Sequence, residues 1–142
     1  MSKYLVSACL LGHDCKYNGG NNDNAAVRAF LRDKNYVVFC PERASGLPAP
    51  RLPSEIRGQR VYSKAGDDVT AEFRLGAEKA LAFCRKNGVT HAILKARSPS
   101  CGVHAVYDGT FTGQVVPGMG VTAQLLAENG VVLMDEEDIE NK

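Results

Sequence analysis

Four thiols carry the chemistry this chain offers. Cys9 and Cys15 lie in one short stretch, Ser7–Cys15, reading S-A-C-L-L-G-H-D-C; Cys40 opens a Cys-Pro-Glu run; Cys101 sits in Ser98-Pro99-Ser100-Cys101-Gly102. Thiolates are soft donors suited to zinc or iron–sulfur centres, and they are also nucleophiles. Cys9, Cys15 and Cys101 each lie beside a glycine or in a turn, where backbone can wrap an inorganic group closely. Cys40 has a carboxylate two residues on, at Glu42, a pairing suited to nucleophile and acid–base roles or to a fourth ligand. A fifth cysteine, Cys84, falls on the apolar face of a predicted helix and reads as a buried small hydrophobe.

The elements that must position these thiols are strands. Tyr4–Ala8, Tyr36–Phe39 and Ala92–Lys95 are short apolar runs, and each delivers a cysteine at or just past its end. Three strand tips converging on one site point to an iron–sulfur cluster. A four-cysteine zinc or redox-sensing centre and a metal-free thiol enzyme built on Cys40 remain open beside it, because the Cys9–Cys15 spacing matches no standard zinc or ferredoxin pattern.

Between the strands, Asp23 or Asn24 is placed to cap a helix with Ala25, Val27, Ala29, Phe30 and Leu31 on its apolar face. Thr70 is expected to cap a longer helix through Phe73, Ala77, Ala80, Leu81 and Cys84, ending near Gly88. Gly120–Asn129 and Asp135–Asn141 read as helices, and Val131–Met134 as a last strand. Four prolines in Pro41–Glu55 argue for a rigid loop over the strand tips. Arg60–Ser63 and Asp68–Val69 are expected to pair as a small hairpin, and glycines 109, 113, 118 and 120 mark an irregular region. Alternating strands and helix-length crossovers predict an α/β fold: one Rossmann-like domain, 1–142, with a parallel sheet flanked by helices. Ligands in such sheets sit at the carboxyl ends of the strands.

The chain has 17 basic and 16 acidic residues, a net charge of +1, which argues against a dedicated nucleic-acid binder. No apolar run approaches the roughly 20 residues of a membrane span. Without a basic n-region or cleavage site at its start, the chain is expected to be cytoplasmic, where five cysteines point to metal or catalysis rather than disulfides. Softer candidates are Glu55, at the end of the proline-rich stretch, and Lys95 and Arg97, which flank a strand tip and are placed to neutralise a sulfur anion. His13 and His104 read as surface or hydrogen-bonded histidines.

Taken together, S-A-C-L-L-G-x-x-C-x-Y-x-G-G (Ser7–Gly20), C-P-E (Cys40–Glu42), G-L-P-x-P-R-x-P-x-E-I (Gly46–Ile56), K-x-R-S-P-S-C-G (Lys95–Gly102), Y-D-G-T-F-x-G (Tyr107–Gly113) and G-x-G-V-T-A-x-L-L (Gly118–Leu126) resemble a family whose best-understood members are thiouracil desulfidases. The resemblance implies a [4Fe–4S] cluster on only three protein thiolates, Cys9, Cys15 and Cys101, leaving one iron without a protein ligand. It implies catalytic roles for Cys40, for an acid and for a serine: Glu42 and Ser100 first, Glu55 and Ser98 in reserve. The implied reaction is non-redox desulfuration of a small thiolated pyrimidine, thiouracil and water giving uracil and hydrogen sulfide. Longer relatives with an extra C-terminal domain look like tRNA-thiouridine desulfidases. The expectation for 142 near-neutral residues is a free base, with the oligomeric state left open.

Overall fold

The first strand, β1 (Lys3–Ser7), alternates Tyr4 and Val6 against Leu5, so its side chains feed two opposite cores. A computed structural model describes residues 2–13, 18–47 and 52–141. In it β1 pairs in parallel with β2 (Asn35–Phe39) and with β5 (His91–Leu94), and β5 pairs in parallel with β8 (Val132–Asp135), giving the order β2-β1-β5-β8. Ser7 faces Phe39, Val6 faces Ile93 and Leu94 faces Asp135, so the four carboxyl ends share one edge.

Helices cover both faces, as the alternation predicts. On one face α3 (Thr70–Asn87) and α4 (Val121–Glu128) bring Cys84, Ala123 and Leu126 onto Leu5, Ala92 and Leu94. On the other, α1 (Ala25–Leu31) and α5 (Glu136–Glu140) bring Val27, Leu31 and Ile139 onto Tyr4, Val6 and Ile93. Asn24 caps α1, its Oδ1 accepting the Val27 N–H at 3.0 Å. Asp135 and Asp138 form a reciprocal capping box on α5. Cys84 is buried in the first core, and burial pushes its thiol up to about 11.

Four local expectations change. The proline-rich stretch does not begin as a loop: Pro41 is the first residue of a one-turn helix, α2 (Pro41–Ala44), where its missing N–H costs nothing. Glu55 is on a strand, β3 (Ser54–Arg57), rather than in a loop; residues 48–51 of that proline-rich stretch lie outside the described residues. β4 (Arg60–Ser63) has β3 as its antiparallel strand partner, through the Gly58 turn, and the expected pairing with Asp68–Val69 is present only as a bridge from Tyr62 to Asp68 with the Val69 N–H on the Val61 carbonyl. Thr70 begins α3 without capping it. Its hydroxyl instead takes the Val61 N–H at 2.8 Å, while Asp68 Oδ1 accepts the Thr70 N–H. The glycine-punctuated region contains a further hairpin, β6 (Ala105–Tyr107) with β7 (Val115–Pro117).

Candidate active site

At the carboxyl edge of the sheet lies a cavity of about 490 Å³. Cys9, Cys40, Glu42, Glu55, Ser98 and Cys101 all line it. Ser100 does not appear among its lining residues, and Cys15 lies outside the described residues.

Cys9 follows β1 in a 3-10 turn, Ala8–Leu11, closed by Gly12 at φ 89°. Asn22 holds this turn twice: its N–H donates to the Cys9 carbonyl at 2.9 Å, and its Nδ2 donates to the Cys9 sulfur at 3.5 Å. Ser7, at the last position of β1, accepts the Lys95 N–H (3.3 Å) and donates to the Cys101 sulfur (3.5 Å), tying β1 to the β5 tip through one hydroxyl.

The Cys101 loop is curled around Ser98. Ser98 Oγ accepts the N–H groups of Ser100 (3.1 Å) and Cys101 (3.0 Å), and its own proton is directed to Glu42 Oε1 at 3.3 Å. The curl sends Ser100 the other way, into the protein, where its hydroxyl meets Thr122 Oγ1 at 2.8 Å. The N-terminal N–H groups of α4 secure the loop: Val121 donates to the Pro99 carbonyl, and Thr122 and Ala123 to that of Ser100. Gly120 fits because a Cβ there would collide with the Ser100 carbonyl group.

Burial pushes the Cys101 thiol up to about 12; the Ser7 hydrogen bond acts in the opposite sense, and the charges of Cys9 and Cys40 add to the rise. Those two thiols are thus near enough to Cys101 to act on it. Cys40 is the N-cap of α2, its sulfur accepting the Arg43 N–H at 3.4 Å. The same turn carries Glu42 to the cavity. α2 lies against α3 at Gly76, where any Cβ would strike the Pro41 carbonyl oxygen.

Glu55 is buried and its Oε1 accepts the N–H groups of Gly109 (3.0 Å) and Phe111 (3.1 Å). The flanking cations are paired: Lys95 with Glu136 at 2.8 Å, Arg97 with Glu137 at 2.6 Å, the latter holding the guanidinium's pKa up. His104 stands apart from the cavity, exposed and bonded to Asp138. Lining residues the sequence reading did not single out include Asn22, Phe73, Tyr107 and Phe111; the Y-D-G-T-F run was the one signal pointing to the last two.

Soft thiolate donors are chemically suited to an iron–sulfur cluster. Among the described residues, the three-donor group whose ligand atoms all lie within 4.8 Å of one another is His104, Asp135 and Asp138, away from the thiols. Among the described thiols, the sulfurs of Cys9, Cys40 and Cys101 do not all lie within that distance of one another. Hydroxyl and amide donors already aimed at two of the sulfurs are what a metal-bound thiolate needs.

The family described as 2-thiouracil desulfurase matches residues 4–138. YbbK of Bacillus subtilis (strain 168), named as an uncharacterized protein, is 37% identical over 145 residues, covering 95% of this chain and 96% of its own. The solved structure of TudS, a [4Fe–4S]-dependent thiouracil desulfidase, is 40% identical with a TM-score of 0.92, covering 99% of this chain and 95% of that one.

Proposed function

This chain belongs to the 2-thiouracil desulfurase family, and from that premise we propose that it desulfurates a thiolated pyrimidine in the cytoplasm, thiouracil and water giving uracil and hydrogen sulfide. The cofactor in this reading is a [4Fe–4S] cluster on Cys9, Cys15 and Cys101. Held by three thiolates, the cluster would keep one iron free of protein ligands, a soft Lewis acid for the substrate's sulfur.

The chain's own residues supply the proton chemistry. Glu42 is the base that takes a proton from water as its oxygen approaches the carbon bearing sulfur. Ser98 is the serine of the reaction. Two N–H groups on its oxygen polarise its O–H toward Glu42, so it orients the carboxylate, and the proton that Glu42 takes from water goes on to the leaving sulfur. Cys40 sits two residues from Glu42 with an N–H on its sulfur, a position from which to hold or pass a proton. Asn22 and Ser7 keep Cys9 and Cys101 in place by hydrogen bonds to sulfur. Lys95 and Arg97 put two guarded cations on the cavity wall, favourable to an anionic leaving sulfur.

The observation that carries the reading is that the Ser98–Glu42 hydrogen bond opens on the same cavity as Cys9, Cys40 and Cys101. The test is anaerobic reconstitution followed by sulfide-release assays on 2-thiouracil, 4-thiouracil and a thionucleoside, with iron quantified in parallel. Sulfide release that tracks iron content is expected. A colourless, iron-free protein that is fully active would overturn it.

A further inference from the structure

Glu55 and Arg57 stand two residues apart on β3 and so share a face of it. Both are committed to one short loop. Glu55 Oε1 accepts the N–H groups of Gly109 and Phe111, and Arg57 Nε donates to the Gly109 carbonyl at 2.7 Å. Gly109 lies flat on the strand at φ 92°, where a Cβ would stand 2.5 Å from Arg57 Cγ and 2.8 Å from the Ile56 carbonyl oxygen. Inside the loop, Asp108 Oδ1 accepts both the N–H (2.9 Å) and the hydroxyl (2.6 Å) of Thr110.

All of this bonding holds one residue in an awkward conformation. Phe111 has φ 59°, in the left-handed region that a bulky side chain disfavours. Among the described residues only Arg97 shares this feature without being glycine, and both line the cavity. Core packing does not account for it, since Phe111 belongs to neither apolar core. Backbone strain kept in place by a buried carboxylate, at a cavity wall, marks a ligand contact.

We propose that Phe111 is the surface on which the flat ring of the substrate packs, and that Glu55 is its positioning residue rather than a base. This rests on the desulfidase reading of the cavity and names how the pyrimidine is recognised. An aromatic face accepts the π-face of any base, so the contact serves uracil and thiouracil alike and is blind to the sulfur. Two loop N–H groups hold Glu55 Oε1 in a structural role, which favours Glu42 for activating water.

Uracil binding to the anaerobically reconstituted protein, measured by titration calorimetry, reads ring recognition without turnover. Phe111→Leu is expected to weaken it about tenfold, and Phe111→Tyr to keep it within about threefold of the native protein. Glu55→Ala weakens binding comparably, and adds little in the Phe111→Leu background, the non-additivity of two residues acting through one contact. Both substitutions raise KM for 2-thiouracil far more than they change kcat. If Glu55→Ala does not fold, Glu55→Gln carries the same cycle. Equal uracil affinity in native and Phe111→Leu protein overturns the proposal, as does full additivity of the two substitutions. Native protein that binds uracil through Phe111 but releases no sulfide supports the platform and overturns only the desulfidase reading.

Discussion

The Ser98 hydroxyl donates to Glu42 Oε1 across 3.3 Å while its oxygen holds the N–H groups of Ser100 and Cys101. One side chain therefore joins the turn bearing the acid to the loop bearing a thiol. Removing either end separates chemistry from cofactor binding. Glu42→Gln is expected to lower kcat for sulfide release by about 10²–10⁴-fold, the usual worth of a general base, with iron content unchanged. Ser98→Ala should lower it as well, with Ser98→Thr recovering part. Ser100→Ala, which loses the Thr122 contact and a minor hydrogen bond to the Cys101 thiol, should leave kcat within a few-fold. Assays of sulfide and iron on the same preparations check all four.

The thiols sort by what surrounds them. Cys101 has a hydroxyl aimed at its sulfur and two other thiols near it, whereas Cys84 is enclosed by the apolar core of α3, α4 and the sheet. Cys101→Ser is expected to abolish iron binding and the brown absorbance of the reconstituted protein. Cys84→Ser should keep both, at a cost in stability of about 1–3 kcal/mol for a hydroxyl buried in that core. Cys40→Ser should keep iron and lose activity; a protein emptied of iron by that change would make Cys40 a ligand.

Gly76 sets how closely α2 approaches α3. A methyl group there meets the Pro41 carbonyl oxygen and the Ser45 side chain, neither of which can move without shifting the turn that carries Cys40 and Glu42. Gly76→Ala is expected to lower stability by about 1–3 kcal/mol, the cost of overpacking, despite improved helix propensity. Sulfide release should fall further than the loss of folded protein explains. Thermal denaturation followed by circular dichroism, alongside kcat per folded molecule, tests both.

Much of this arrangement was legible in the residues because it follows from burial. Apolar runs of four or five residues marked the four sheet strands, and glycine at position 88 marked the end of the long helix. What was not legible depends on which way a short segment curls. The prolines of Pro41–Glu55 read as a loop, yet Pro41 opens a helix that lies in close contact with Gly76. Ser98 and Ser100 share one loop and one chemistry; only the curl around Ser98 Oγ turns Ser98 to the cavity and Ser100 to Thr122. β6 and β7 have three residues each, too few to show alternation, and β7 is exposed throughout. Phe111 was hidden for a different reason: its role comes from the Glu55 contact, 56 residues away in the chain.

The α5 terminus makes stability depend on pH in a defined direction. His104 Nε2 contacts the Asp138 carboxylate at 2.8 Å, and that hydrogen bond is the main cause raising the imidazole pKa above 6.5. The fold thus favours the protonated ring. Its contribution is complete below pH 6.5, the value of the unfolded chain, and is lost as pH rises through the raised folded value. Desolvation is the next largest cause and opposes it, while the smaller effects of the Asp138, Asp135 and Glu137 charges press upward. Solvent screening keeps the effect to about 0.2–1 kcal/mol. His104→Gln should therefore melt below the native protein in mildly acidic buffer and coincide with it once the native ring has lost its proton. Melting curves across that interval decide it: a gap between the two proteins that widens as pH rises would reverse the assignment of charge to His104.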